Sequence, residues 1–473
     1  MNQNDFFQIF IKALLYKPTS TQYIVLQAIS EFLLEKKYQE SIFVLKGFAG
    51  TGKTTIIGAL VSILQKTSLK VILLAPTGRA AKVITEYSGH KAYTIHKHIY
   101  YSRSQNSDVN FVLKTNKSIN TLYIVDEASM ISNATILGEN SVLDDLVRYV
   151  YSGTNCRLML VGDTAQLPPV HLEESPALDS QFLSIEYRRE VNSYELTQVV
   201  RQKKNSGILY NATQIREQLT AYFFDDFTFE LNGFDDIIRL ISGIEIQEAL
   251  ETAYSQYGIE QTTFIVRSNK RASLYNKQIR KVILGQEEEL SIGDLLMVVK
   301  NNYFWLDAQS EAGFIANGDT IEVLDIYRFE QLYGFEFAEV KVQMIDYPNQ
   351  EPFDTILLLD VINSQSPSLT YEQNNQLYQA IMEEYQNETS GYRKYLKIKN
   401  NPYFNALQIK YSYAVTCHKS QGGQWDIVFI EKPYLPEGIT MGYLRWLYTA
   451  ITRAKKKVFL INFENQDFQE DDF

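Results

Sequence analysis

Cysteine is nearly missing from this chain: its 473 residues contain two, Cys156 and Cys417. They stand far apart with no metal-type spacing around them. That excludes a disulfide framework and a zinc site, and argues for a reducing compartment. Long apolar runs are missing too, and no stretch approaches the length of a membrane span. The apolar N-terminal segment Phe6 to Tyr16 is interrupted by Gln8 and Lys12. Its residues Phe6, Phe7, Phe10, Ile11, Leu14 and Leu15 recur at helical spacing, so an amphipathic helix is expected rather than a signal peptide. The expected compartment is the cytoplasm, with no membrane partner. Positive charge is also in deficit: 45 Lys and Arg against 56 Asp and Glu give a net charge of −11. A globally basic face for a polyanion is thereby excluded, and any phosphate backbone must be met by a local cationic groove. A hydrophobic content of 45% and a charged content of 21% are those of ordinary globular protein. The length suggests roughly two to four domains.

What is present begins with Gly47-Phe48-Ala49-Gly50-Thr51-Gly52-Lys53-Thr54. A β-branched apolar run, Ser41 to Lys46, precedes it, and the long apolar stretch Thr55 to Leu64 follows. Strand, glycine-rich turn and helix are the context that the G-x-x-x-x-G-K-[ST] pattern requires. Its glycines let backbone N–H groups close around a phosphate, and the helix N-terminus adds partial positive charge. Gly47, Gly50, Thr51, Gly52, Lys53, Thr54 and Thr55 are therefore the expected nucleotide cradle. Lys53 would reach the β- and γ-phosphates, and the Thr54 hydroxyl would hold Mg²⁺. Upstream, Gln22 follows a capping signal; its amide could read an adenine edge, or it could be a surface glutamine.

Strand and helix then alternate, which predicts a parallel sheet with right-handed crossovers. Leu69 to Ala75 reads as a strand, with Pro76-Thr77-Gly78-Arg79-Ala80-Ala81 opening the next helix. The polar segment Tyr101 to Asn116 reads as a protruding hairpin. The apolar strand Leu122 to Val125 ends in Asp126 and Glu127, the expected second half of a phosphate site. Asp126 would hold Mg²⁺ through water and Glu127 would polarise an attacking water. A further strand, Arg157 to Asp163, runs into Gln166, placed to sense a γ-phosphate. Arg201 has little local reason to be there except a surface ion pair. A second α/β unit starts at Thr263 to Val266. The triplet Glu287-Glu288-Glu289 marks a change to short strands that suggest a small β-barrel insertion, followed by a helical stretch from Thr370 to Lys399. The α/β pattern resumes at Tyr413 and ends with the strand Val458 to Ile461. The acidic residues from Glu464 to Phe473 read as a disordered tail.

Taken in order, these motifs resemble those of a superfamily 1 helicase of the 5′-to-3′ branch, the RecD/Dda-like group. The resemblance rests on Gln22, Gly47 to Thr54, Ala75 to Ala81, Thr94-Ile95-His96, Val125 to Ser129, Gly162 to Pro168, Leu196 to Gln202, Ser268-Asn269-Lys270, Thr416 to Gly422 and Tyr448 to Ala454. It covers most of the chain. It implies an α/β fold of two RecA-like P-loop domains, with a hairpin insertion in the first and a small SH3-like β-barrel insertion in the second. The implied division is 1–188 for the first domain, with the hairpin at about 88–118; 189–286 and 402–463 for the second; 287–401 for the insert; and 464–473 for the tail.

The same resemblance implies ATP in the cleft between the domains and Mg²⁺ beside it. Lys53, Thr54, Asp126 and Glu127 would act from the first domain, with Gln166 coupling the γ-phosphate to motion. Arg201 and Arg453 would enter from the second as stabilisers of transition-state charge. Single-stranded DNA would lie on Pro76, Thr77, Arg79, Thr94 and His96 in the first domain and on Ser268, Asn269, Thr416, His418 and Lys419 in the second. Tyr303 and Phe304 are candidates for base stacking, and His96 and His418 could equally be buried hydrogen-bonding residues. The hairpin would serve as the separating pin. The implied activity is ATP-dependent 5′-to-3′ unwinding of DNA by a monomer at duplex junctions, with an RNA or RNA–DNA helicase or translocase as the alternative. The acidic tail ending Glu470-Asp471-Asp472-Phe473 is a solubilising tail, or else resembles tips that single-strand-binding proteins dock on partners.

Overall fold

The computed structural model describes residues 2–14, 16–105, 108–135, 140–198, 206–224, 226–307, 310 and 312–469, without the side chains of 102–111. Two parallel sheets and a closed barrel organise it. The first sheet has six strands in the spatial order Ala92–Thr94, Lys70–Ala75, Ile119–Val125, Thr154–Gly162, Ile42–Gly47 and Val191–Leu196. Every neighbouring pair runs parallel. Strands buried on both faces must be apolar almost throughout, and Ile42, Phe43, Val44 and Leu45 are all fully buried. The strand Val191–Leu196 carries this sheet past the expected limit at 188.

The second sheet is also parallel, in the order Ala414–Thr416, Thr262–Val266, Trp425–Glu431, Ala454–Ile461 and Ile237–Leu240. The barrel is built from Leu295–Val298, Thr320–Leu332, Phe335–Met344, Phe353–Leu358 and Leu407–Tyr411. Its fifth strand lies beyond the expected end of the insert at 401, because closure needs a partner for Leu295–Val298, and Leu407–Tyr411 supplies it antiparallel. The barrel does not own a separate core. Leu296, Val340 and Leu407 belong to one apolar cluster with Phe264 and Phe429 of the second sheet. A buried ion pair fastens this junction: Arg280 donates twice to Asp294 at 2.8 Å, and the Tyr413 hydroxyl donates to the same carboxylate at 2.8 Å.

The hairpin forms as expected, Tyr100–Gln105 pairing antiparallel with Asp108–Leu113. At its base, His98 packs against the rings of Tyr93, Tyr123 and Tyr149, and its buried Nε2 has no hydrogen-bond partner. The expected disordered tail is corrected in part. Phe468 packs on Phe229 and Phe463, Arg239 lies 4.6 Å over its ring, and Lys432 pairs with Asp467 at 2.7 Å. Aromatic burial outweighs the acidic composition there. Glu470 to Phe473 lie outside the described residues.

Burial, followed by the nearby charge of Lys114, pushes the His98 pKa down to about 4 from 6.5. A folded-state pKa below the unfolded one means that stability is complete above the unfolded value and is lost as pH falls through the window from 6.5 toward 4. His98→Phe keeps a ring in the cage and removes the titration. The melting temperature of the variant should fall less than the parent's between pH 7 and pH 5, roughly the window opened by that shift. Equal losses would contradict this.

Candidate ATP site and nucleic-acid interface

The phosphate loop joins the strand Ile42–Gly47 to the helix Lys53–Leu64. Gly52 caps that helix with φ of 94°, a left-handed conformation open to glycine. Lys53 is the first helical residue, and its Nζ donates to the carbonyls of Gly47 at 2.5 Å and Phe48 at 3.1 Å. Thr51 is fully buried and donates to Phe48 O at 2.8 Å, while Thr54 and Thr55 are exposed at the helix start. Gln22 is not a surface residue. It is 5% exposed, and its Nε2 donates to Thr51 O at 3.0 Å while its Oε1 accepts from Thr19 N. Its position as third residue of a capping box therefore docks the helix Ser20–Leu34 against the loop.

Asp126 and Glu127 follow the strand Ile119–Val125. Asp126 accepts from its neighbour's amide, Glu127 N, at 2.9 Å and from the Tyr87 hydroxyl at 2.8 Å. Burial pushes both acids upward in pKa, and the charges of Lys53 and, for Glu127, Arg453 oppose that rise. Glu127 holds a left-handed backbone at φ 53°, which costs a non-glycine residue roughly 1–2 kcal/mol. Such strain persists where the surroundings over-determine it. A hydroxyl and a carboxylate, at Thr54 and Asp126, are the hard oxygen donors that suit Mg²⁺, which keeps waters and substrate phosphates as its other ligands. No all-protein metal cluster is needed, and among the described residues none is found. Gln166 is 6% exposed, and its buried Oε1 has no partner. Arg453 is 3% exposed, donating through Nε to Thr449 O at 3.0 Å. Its charge reaches Glu127 from the second sheet. Arg201 lies outside the described residues.

Named bonds close the cleft. The Tyr448 hydroxyl donates to Asp163 at 2.8 Å and accepts from Ala49 N at 2.7 Å, so one phenol joins the second sheet's helix Met441–Ile451 to the phosphate loop. Leu167 N donates to Thr449 Oγ1 at 2.8 Å, and Gln421 donates to Leu167 O at 2.7 Å. Tyr448 and Asp163 stand inside motifs to which the sequence assigns them no role of their own. Tyr87 gives no signal in the sequence, since it meets Asp126 only through the fold.

The candidate nucleic-acid residues gather at matching places. Pro76 and Thr77 follow one strand of the first sheet and Thr94 ends its edge strand. Ser268 and Thr416 stand at the corresponding ends of the second. Carboxyl ends of parallel strands are where open α/β sheets bind ligands. Thr77, Thr94 and Ser268 each cap the helix that follows, accepting from Ala80, Lys97 and Arg271 amides. Asn269, Thr416 and Lys419 line one small cavity with Lys410. Arg79 lies 4.3 Å over the Trp425 ring. His96 is half-buried, and burial lowers its pKa; His418 is exposed. Tyr303 stacks on Phe314 at 4.8 Å, which makes it part of the packing, whereas Phe304 is 38% exposed.

Tyr448→Phe keeps the ring but strips the partner from Ala49 N and Asp163, and unpaired buried groups cost about 1–3 kcal/mol. A melting temperature lowered by a few degrees is expected, and an unchanged one would contradict the clasp.

Comparison with known proteins shows what the chain is similar to. Residues 27–227 match the AAA domain family and residues 411–461 the UvrD-like helicase C-terminal domain family. The chain is 24% identical over 457 residues to the ATP-dependent DNA helicase dda of Enterobacteria phage T4, covering 93% of this chain and 97% of that protein. It is 33% identical over 180 residues to the ATP-dependent RecD2 DNA helicase of Deinococcus radiodurans, covering 38% of this chain and 22% of that one. A solved Pif1 helicase from Bacteroides in complex with ADP-AlF3 and ssDNA aligns over 94% of each chain at 17% identity and a TM-score of 0.48. No helix among the described residues is long and apolar enough to cross a membrane. The chain is homologous to the Dda and RecD2 helicases, with a match to the AAA domain family followed by a match to the UvrD-like helicase C-terminal domain family.

Proposed function

We propose that this protein is an ATP-dependent DNA helicase that moves 5′ to 3′ along single-stranded DNA and unwinds the duplex ahead, in repair, recombination or replication. The observation that carries the reading is the split site: Glu127 on one sheet and the charge of Arg453 reaching it from the other, with a buried glutamine, Gln166, whose oxygen is unpaired. The homology to Dda and RecD2, proteins named as ATP-dependent DNA helicases, supports it.

In this reading Lys53 neutralises the β- and γ-phosphates while the loop amides cradle them, and Gln22 reads the adenine. Thr54 and Asp126 would hold Mg²⁺, which supplies charge neutralisation at the phosphates when bound. Glu127 orients and deprotonates the attacking water. Gln166 accepts a hydrogen bond from that water or senses the γ-phosphate. Arg453, joined by Arg201, stabilises the charge that develops on the leaving phosphates. Because Arg453 and the phosphate loop belong to different sheets, the nucleotide binds the closed arrangement better than the open one. That difference is what allows hydrolysis to drive relative movement. Two sets of backbone-contacting residues, one per sheet, convert closure and opening into a step along the strand. They contact phosphates rather than base edges, which makes the grip independent of sequence.

The test is unwinding of duplexes bearing only a 5′ or only a 3′ single-stranded overhang, run beside ATP turnover with matched DNA and RNA oligonucleotides. The 5′-overhang substrate should be unwound and DNA should stimulate turnover. Lys53→Ala should abolish both without lowering the melting temperature. Preference for the 3′ overhang would contradict the direction, stronger stimulation by RNA would contradict the substrate, and undiminished turnover by Lys53→Ala would contradict the site.

A further inference from the structure

The helix Gly78–Ser88 is a meeting point for every body of the molecule. Its N-terminal turn touches the second sheet: Arg79 lies over Trp425, and a β-carbon on Gly422 would come within 2.9 Å of Ala80 and 3.0 Å of Thr77. The same turn touches the barrel. Arg79 is 3.7 Å from Asp346, Lys82 donates to Ile345 O at 3.2 Å, and a side chain at Gly78 would collide with Asp319 and Tyr347. Near its other end, the Tyr87 hydroxyl donates to Asp126 Oδ2 at 2.8 Å. Asp126 is held a second time by the same strand–helix unit, since its backbone N donates to Leu74 O at 3.0 Å. One 11-residue helix therefore spans about 15 Å from the interdomain contacts to the carboxylate beside the phosphate loop.

We infer that Tyr87 is a positioning residue for Asp126, and that the helix Gly78–Ser88 carries movements of the second sheet and the barrel to that carboxylate. The inference rests on the proposed reading of Asp126 as a holder of Mg²⁺ and adds the link that sets its orientation. A carboxylate has two oxygens able to turn about one bond. One accepts from the Glu127 amide at 2.9 Å, and the other accepts from the Tyr87 hydroxyl at 2.8 Å. Outer partners of this kind orient a ligand and set how basic it is toward the ion. A shift of the helix, imposed through Arg79, Gly78 or Lys82, moves the hydroxyl and with it the preferred direction of the free lone pair. Strand engagement at Thr77 and Arg79 would in this way be felt at the ion without any change in the phosphate loop. A purely structural tyrosine would instead fill space: its loss would lower stability and leave the response to Mg²⁺ as it was.

The experiment is Tyr87→Phe, which removes one oxygen and keeps the ring. The binding of a fluorescent N-methylanthraniloyl ADP is titrated with Mg²⁺, with and without an oligo-dT strand, alongside a thermal melt. The variant should need about 10-fold more Mg²⁺ for half-maximal tight binding. The strand should shift that requirement in the parent and no longer do so in the variant, with the melting temperature changed by at most a few degrees. A Mg²⁺ requirement equal to the parent's, with the strand effect intact, would overturn the inference. So would a melting temperature that falls while the Mg²⁺ response stays the same. The readout is binding, so failure of the parent to hydrolyse ATP would sink the proposed function and leave this test standing.

Discussion

Two adjacent, partly buried carboxylates are the constraint on which this structure turns. Asp126 and Glu127 are both pushed upward in pKa by burial, so each needs compensation to stay charged. Lys53 supplies it from the phosphate loop and Arg453 from the other sheet. Lys53 opposes the rise at both acids, and the largest opposing charge at Glu127 is that of Arg453, from the second sheet. The electrostatics of the acidic pair therefore favour a molecule in which the second sheet comes to the first. The bonds through Tyr448, Thr449 and Gln421 are what that approach looks like at atomic distance.

The contacts closing the cleft are few, polar and short, against an apolar background that includes Ala165, Leu167 and partly buried Phe48 and Ala49. An interface of this composition suits a joint that opens and closes. Apolar area gives it adhesion without direction, and the phenol and hydroxyl bonds fix one register. The barrel differs: it shares a continuous core with the second sheet and is pinned by the buried Arg280–Asp294 pair. It must move with that sheet. Helix Gly78–Ser88 touches the second sheet, the barrel and, through Tyr87, Asp126 on the first sheet.

Much of this was legible in the residues. The phosphate loop announces itself because glycine, lysine and threonine at that spacing have few other uses between a strand and a helix. The parallel sheets follow from apolar runs alternating with amphipathic ones. The carboxyl-end clustering of Thr77, Thr94, Ser268 and Thr416 follows from the motif order. What stayed hidden depends on three-dimensional proximity. Barrel closure by Leu407–Tyr411 crosses a helical stretch that reads as a boundary. Phe468 is partly buried against Phe229, far away in sequence, and against Phe463, in a segment that composition alone reads as tail. Tyr87 meets Asp126 across a 39-residue separation, with nothing in its own neighbourhood to mark it. Gln22 shows how a local signal can carry two meanings, since the same side chain completes a helix cap and holds the phosphate loop.

The claim at the centre is that one catalytic pocket is assembled from two sheets, and Arg453 is its most exposed point of failure. The direct measurement is ATP turnover by Arg453→Lys at saturating nucleotide and single-stranded DNA, paired with nucleotide affinity. Loss of a transition-state arginine predicts a fall of about 10³-fold or more in turnover with affinity kept within a few-fold of the parent. Turnover within about two-fold of the parent would mean that hydrolysis is completed on the first sheet alone, contrary to the expected effect of an arginine finger.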